Sequence, residues 1–310
     1  MQTFLMSHPP ERWRIRGGEN FRSRVAKGQH TRTNPRAAMK EWLGLCDSIE
    51  RHGGQVVVLP PADADPPLTG MMYTANSGAL FGGTQWMISR MSVAHRTDER
   101  GYIRAFVPQL GFAVEEAPCV WEGQADITTL PDGYLLTWGV RSVRESVEEV
   151  RKRLPTGART LDVKLRDPWF HGDTCLNPLT NPAGKTFLLA HAGALVDRTL
   201  DDLAGFGAEI LPVDESDALG YACNALGVNG TILLPTGLSE KLRGELRARG
   251  FRLEELELGE LFGKGGGGPR CLVNQLFGAD ESNSPARYTT QRTSLHKLAD
   301  TYPESIEEAT

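Results

Sequence analysis

Four consecutive glycines, Gly265 to Gly268, lead through Pro269 and Arg270 into Cys271. Such a run loses much conformational entropy on folding, so it belongs where backbone must approach another group closely or adopt positive φ. A phosphate cradle is one use, but no Lys-Ser/Thr pair follows the glycines, as a P-loop would require. A cysteine at the exit of the loop is a candidate nucleophile. Read alone, a cysteine is more often a buried, inert thiol, here behind a flexible loop.

Three further constellations could carry chemistry. In Phe170-His171-Gly172-Asp173-Thr174, a histidine and an aspartate stand two apart. On extended chain they point the same way, so Asp173 can orient the imidazole, or both can reach one substrate. A core histidine beside a turn aspartate is the plain alternative. In Trp121-Glu122-Gly123-Gln124-Ala125-Asp126, two carboxylates follow an aromatic residue. A planar guanidinium wants that combination: bidentate charge-assisted hydrogen bonds and a stacking face. An ordinary loop acid pair is the other reading. Finally, the run from Met71 ends in Thr74-Ala75-Asn76-Ser77-Gly78, which alone reads as a turn. A metal site would need a third ligand; His191 is the only other histidine nearby, and no zinc-helix motif occurs. The residues therefore predict neither a metal nor an organic cofactor.

Elements must position these groups. Asn34 as N-cap, Pro35 at the first turn, and Met39, Trp42, Cys46 and Ile49 at helical spacing predict a helix over 34–52, ended by Gly53-Gly54. Gln55 to Leu59 reads as a buried strand. Further strands are expected at 71–81, 86–91, 127–130, 134–138, 161–166, 187–190, 209–213, 231–234 and 271–276. Helices are expected at 142–153, 197–204 and 239–249. Pro131-Asp132-Gly133 is a hairpin turn. Short strand pairs followed by single helices predict an α/β chain of several small modules. From about Gly278 the pattern turns polar. That divides the chain into a catalytic domain over 1–277 and a loosely ordered tail over 278–310, with a short helix near 291–299.

The bulk properties exclude several classes. A net charge of −5 removes the general electrostatic argument for nucleic acid. The early arginines, Arg12, Arg14, Arg16, Arg22 and Arg24, read as a solvated surface. Five widely spaced cysteines without a CxxC pair argue against a disulfide framework and fit a reducing compartment. The start lacks the basic region of a signal peptide, and the longest nearly apolar run, 187–196, is too short to span a bilayer. The expectation is a soluble, cytoplasmic protein with a small-molecule substrate and no membrane partner. A homo-oligomer is compatible.

Taken in order, Thr74-Ala75-Asn76, Glu122-Gly123-Gln124-Ala125-Asp126, His171-Gly172-Asp173 and the glycine loop into Cys271 resemble the guanidine-modifying (pentein) superfamily. Its members include arginine deiminases, dimethylarginine dimethylaminohydrolases, amidinotransferases and arginine dihydrolases. The resemblance runs over residues 5–276 and takes in Ser7-His8-Pro9 and Ala222-Cys223-Asn224-Ala225-Leu226. It implies a five-bladed α/β propeller of ββαβ modules around a funnel-shaped site. It implies Cys271 as nucleophile, His171 as general acid/base, and Glu122 and Asp173 as guanidinium-binding acids. Asn76, Asp126, Arg90 and Arg141 complete the implied substrate-binding set, with Arg141 gripping a substrate carboxylate. Asn76 stands where deiminases carry an aspartate and resembles the dihydrolases, which release two ammonia. The implied activity is thus an arginine dihydrolase giving ornithine and carbon dioxide. The alternatives are a one-step deiminase or dimethylarginine hydrolase giving citrulline, an amidinotransferase, and a non-catalytic binding propeller. One departure is clear: dihydrolases carry an Asn-Pro-Trp-like segment near the start, and here Gly17-Gly18-Glu19-Asn20-Phe21 takes its place.

Overall fold

The computed structural model describes residues 1–15, 32–65, 67–278, 284 and 286–306. The stretch Gly17-Gly18-Glu19-Asn20-Phe21 and Arg16, Arg22 and Arg24 lie outside them. The chain opens on β1 (Thr3–Ser7) and then forms α1 (Pro35–Arg51). Asn34 caps α1, its side chain accepting from the Ala37 amide at 2.9 Å. The stripe Met39, Trp42, Cys46 and Ile49 is buried, as its spacing predicts. The chain then returns as β2 (Gln55–Leu59), parallel to β1.

This strand–crossover–strand unit recurs. A second unit joins β4 (Gln85–Ile88) to β5 (Ala113–Glu116) through α2 (Glu99–Phe106). A third joins β7 (Gly133–Trp138) to β8 (Thr160–Lys164) through α3 (Glu145–Arg151). In the fourth, β10 (Thr186–Ala190) pairs with β11 (Glu209–Pro212), which α4 (Glu215–Leu219) follows. The fifth joins β13 (Thr231–Pro235) to β14 (Arg252–Leu256) through α5 (Glu240–Ala248). Each unit gains one antiparallel strand: β3 (Gly78–Phe81), β6 (Ile127–Leu130), β9 (Leu176–Thr180), β12 (Leu226–Val228) or β15 (Asn274–Gln275). The result is five three-stranded sheets, the expected α/β propeller of ββαβ modules. Closure is made by β15, which pairs Gln275 with Phe4 at the other end of the chain.

The structure corrects several expectations. Residues 71–81 are not one strand: turns Thr69–Met72 and Thr74–Asn76 precede β3, because the chain must bend before it joins its sheet. Cys271 likewise sits in a turn, and only Asn274–Gln275 pairs as strand. No α-helix forms over 197–204. There Asp202 accepts from both the Thr199 amide (2.7 Å) and its hydroxyl (3.1 Å), and Gly205 takes φ 81°, leaving a 3₁₀ turn at Asp201–Leu203. The outer strands β5 and β14 escape the sequence reading. They lie at sheet edges, where Ala-Val-Glu-Glu and Arg-Leu-Glu-Glu-Leu need only half an apolar face.

The region expected as a loose tail with a short helix near 291–299 contains the longer α6 (Tyr288–Thr301). Its buried Tyr288, Leu295 and Ala299, with Tyr302 beyond, join the core around Trp42. The Trp42 and Tyr288 rings meet edge-on at 6.1 Å, and the Tyr302 hydroxyl donates to the Pro9 carbonyl at 3.0 Å. Tyr288→Ala should therefore destabilise the protein by about 3 kcal/mol, as for other buried aromatic truncations. Denaturant unfolding measures it; a loss under about 0.5 kcal/mol would show that α6 adds nothing to the core.

Candidate active site

The turns that precede the antiparallel strands converge. Thr74–Asn76 precedes β3, Gly123–Asp126 precedes β6, Gly172–Thr174 precedes β9 and Ala222–Asn224 precedes β12. Cys271 occupies the same place before β15. Five modules thus deliver Asn76, Glu122, His171, Asp173, Asn224 and Cys271 to one neighbourhood, although 195 residues separate the first from the last.

The glycine run proves to be close-packed. Gly266 has φ 77°, and a Cβ on Gly268 would stand 2.7 Å from Asn224 Oδ1. That approach lets Asn224 act as a clamp. Its Oδ1 accepts from the Cys271 amide at 3.1 Å, its carbonyl accepts from the Arg270 amide at 2.9 Å, and its Nδ2 donates to the Asp173 carbonyl at 2.8 Å. The sequence reading gave Asn224 no role of its own. Its clamp position depends on the left-handed backbone of Tyr221 (φ 62°), which no pattern signals.

Cys271 Sγ lies 3.7 and 3.9 Å from the two Asp173 oxygens. Burial, then the Asp173 charge, pushes the thiol well above its ordinary range; the Asn224 hydrogen bond and the Arg270 charge only partly oppose this. Burial also raises Asp173 to about 6, against the lowering effect of His171 and Arg270. The resting sulfur is therefore a protonated thiol.

Opposite stands Glu122, fully buried. His171 Nε2 lies 2.8 Å from its Oε2, Arg141 Nη1 donates at 3.1 Å, and the Ser92 amide and hydroxyl donate to Oε1 at 2.9 and 2.6 Å. Burial alone would raise this carboxyl. The hydrogen bond and charge of His171, with Arg141 and Arg96, outweigh it and hold the acid far below the ordinary range. Its oxygens are thus already occupied, whereas an open guanidinium clamp needs free lone pairs.

Of the other expected residues, Arg141 lines the cavity and stacks 5.5 Å over Phe170. Asp126 is turned away into a structural network, accepting from Thr137 (2.7 Å), Ser142 (2.5 Å) and the Gly172 amide (3.2 Å). Arg90 does not line the cavity: it is exposed and donates to the Pro118 carbonyl at 3.1 Å. The buried arginine in its stead is Arg96, which the sequence reading missed. Its only signal was the i,i+3 pair with Glu99, which reads as a surface salt bridge. The cavity holds about 70 Å³ and is lined further by Trp13, Arg14, Tyr73 and Phe170. Among the described residues, no cluster of three or more His, Cys, Asp or Glu side chains could hold a metal, and no helix is long and apolar enough to cross a membrane.

Comparison with known proteins bears on this geometry. No family model matches the chain. The bifunctional arginine dihydrolase/ornithine cyclodeaminase ArgZ of Synechocystis is 30% identical over 80% of the chain, which spans only 34% of that protein. An uncharacterized protein of Caenorhabditis elegans is 28% identical over 77% of the chain and 84% of its own length. The solved N-terminal domain of ArgZ, an arginine dihydrolase from the ornithine–ammonia cycle in cyanobacteria, superposes with a TM-score of 0.76 at 26% identity, over 89% of this chain and 98% of the domain. Five small sheets, with catalytic-type side chains on the turns that enter them, define a guanidine-modifying fold. The chain belongs to the guanidine-modifying (pentein) superfamily.

Asp173 has a consequence for stability. Its folded value near 6 exceeds the unfolded value of about 3.9. Between those values the unfolded chain has lost a proton that the folded protein keeps, so stability falls as pH rises through the window. Above it the full penalty remains. Asp173→Asn removes this penalty and should stabilise the protein by roughly 2 kcal/mol at pH 8 and not at all at about pH 3.5. Unfolding midpoints at both pH values test this; a variant no more stable at pH 8 refutes it.

Proposed function

We propose that the protein hydrolyses the guanidino group of arginine or a close derivative, with Cys271 as nucleophile. With arginine it consumes two waters and yields ornithine, carbon dioxide and two ammonia. The observation that carries this reading is the meeting at one cavity of Cys271, His171 and Asn76, with Asp173 against the thiol and the carboxylate of Glu122 against the histidine behind them. The likeness to ArgZ, an arginine dihydrolase, supports arginine as substrate.

A guanidinium carbon is a poor electrophile because its charge is delocalised. The site must fix its plane and aim the carbon at sulfur. The incoming cation also supplies the positive charge that the resting thiol lacks, and Asp173 beside Sγ can take the thiol proton. Sγ attacks, and His171 gives a proton to the departing nitrogen, which leaves as ammonia. His171 then draws a proton from water, which attacks the thiouronium carbon and expels Sγ. The product is a ureido group. In a second round Sγ attacks the ureido carbon, the remaining terminal nitrogen leaves as ammonia, and water releases a carbamate that loses carbon dioxide. Glu122 serves in both rounds by holding His171 and Arg141.

Asn76 decides whether the second round occurs. Its Nδ2 makes only long contacts in the resting site, 3.2 Å to the Glu122 carbonyl and 3.4 Å to His171 Nδ1. It can therefore donate to a ureido oxygen and retain it. An aspartate would face that oxygen with another acceptor.

Two measurements test the proposal. Cys271→Ser should lose activity by at least about 1,000-fold and keep its melting temperature; turnover near wild type would remove Cys271 from the chemistry. Wild type should release two ammonia per arginine, and Asn76→Asp should shift the products toward citrulline and one ammonia. A wild-type ratio of one, with citrulline accumulating, sinks the dihydrolase reading and leaves a one-step hydrolase.

A further inference from the structure

Arg96 and Glu99 form an ion pair removed from water, and the reaction outlined above uses neither. Nε and Nη2 of Arg96 donate to the two Glu99 oxygens at 2.8 and 2.9 Å. Nη2 also donates to the Gly70 carbonyl at 2.8 Å. A Cβ on Gly70 would stand 2.3 Å from Glu99 Oε1 and 2.4 Å from Arg96 Nε, so the backbone is fitted closely to the pair. Buried ion pairs are weak sources of stability, because desolvation offsets their attraction. A positional role explains the arrangement better.

The remaining direct contact identifies what is positioned. Arg96 Nη1 lies 2.9 Å from Asn76 Oδ1. A guanidinium has donors only, so the Asn76 atom facing it must be the oxygen. This fixes the amide flip, which is otherwise ambiguous. Nδ2 must then face the other way, toward the Glu122 carbonyl at 3.2 Å and His171 Nδ1 at 3.4 Å. A carboxamide nitrogen never accepts. In the neutral ring, which His171 becomes once it has given up a proton, Nδ1 therefore presents a lone pair to it, and the remaining ring proton resides on Nε2, where Glu122 Oε2 accepts it at 2.8 Å.

We propose that the buried Arg96–Glu99 pair, acting through the Asn76 carboxamide, holds His171 in its Nε2–H tautomer and so leaves Nδ1 as the nitrogen that moves protons in the cavity. Arg96, Glu99 and Gly70 are positioning residues; they shape the acid–base group without touching the reacting carbon. The inference deepens the proposed function, since it rests on His171 as the proton-transfer group. It also gives Asn76 a second duty: the amide that can retain a ureido oxygen is the one that selects the tautomer. The two duties share one cause, the donor-only surface of Arg96.

The test is ¹⁵N NMR of histidine-labelled protein without substrate, with the His171 signals assigned by their loss in His171→Gln. With the pH raised until the ring is neutral, wild-type His171 should carry its proton on Nε2. Arg96→Met combined with Glu99→Leu removes both charges at similar volume, and should introduce the Nδ1–H form and lower kcat by about 100-fold. Arg96→Lys, which keeps one donor, should restore part of the wild-type tautomer. A wild-type ring protonated at Nδ1 overturns the proposal, and so does a folded double variant with an unchanged tautomer. The wild-type and Arg96→Lys spectra decide the matter if the double variant does not fold. Because no substrate is present, inactivity on every guanidino compound would refute the functional reading and leave this result standing.

Discussion

The ionised carboxylate of Glu122 has no contact with water, and much of the centre follows from keeping it charged. An isolated buried carboxylate is costly and would take up a proton instead. Here Ser92, Arg141 and His171 supply the compensating donors. They follow β4, follow β7 and precede β9, so three different sheets must be in place before the charge is satisfied. Fold closure and the state of the catalytic-type histidine are therefore one problem. The ring closes through two residues of β15, and the turn leading into them holds Cys271.

The thiol side of the cavity obeys the opposite rule. Cys271 and Asp173 are both buried and close; burial raises both groups, and the Asp173 charge further discourages the thiol from ionising. That site is poised for a cation: a positive charge would offset the burial and the Asp173 charge that keep the sulfur protonated. Asn224 holds the arrangement by bonding the Cys271 amide and the Asp173 carbonyl at once. Gly268 is the residue that lets it come near enough. One wall of the cavity thus stores negative charge already neutralised, and the other is ready to accept positive charge.

The elements the sequence reveals best are those whose burial is one-sided and local. The stripe Met39, Trp42, Cys46 and Ile49 predicts α1 because one face meets the core. Pro131-Asp132-Gly133 predicts the turn between β6 and β7, since turn chemistry is a property of three residues. Edge strands such as β14 carry little signal because half of each is solvated. The docking of α6 onto α1 carries none, because its buried Tyr288, Leu295 and Ala299 are sparse among polar neighbours.

For the site, residue types at short spacing singled out Cys271, His171, Asp173 and Glu122 as candidates, and the resemblance they carry implied their roles and added Asn76. Types and spacing are intrinsic to the chain, so the sequence by itself could supply candidates for a nucleophile, an acid–base group and acids suited to a guanidinium. Which acids remain open, and which are occupied, depends on partners 11 to 49 residues apart that only the folded chain brings within hydrogen-bond distance. That is why Asp126 and Arg90 changed from expected ligands to a structural acid and a surface arginine, while Arg96, Glu99 and Asn224 gained roles. Tertiary structure alone decided where each lone pair points, because a hydrogen bond is set by angle and distance and a sequence encodes neither.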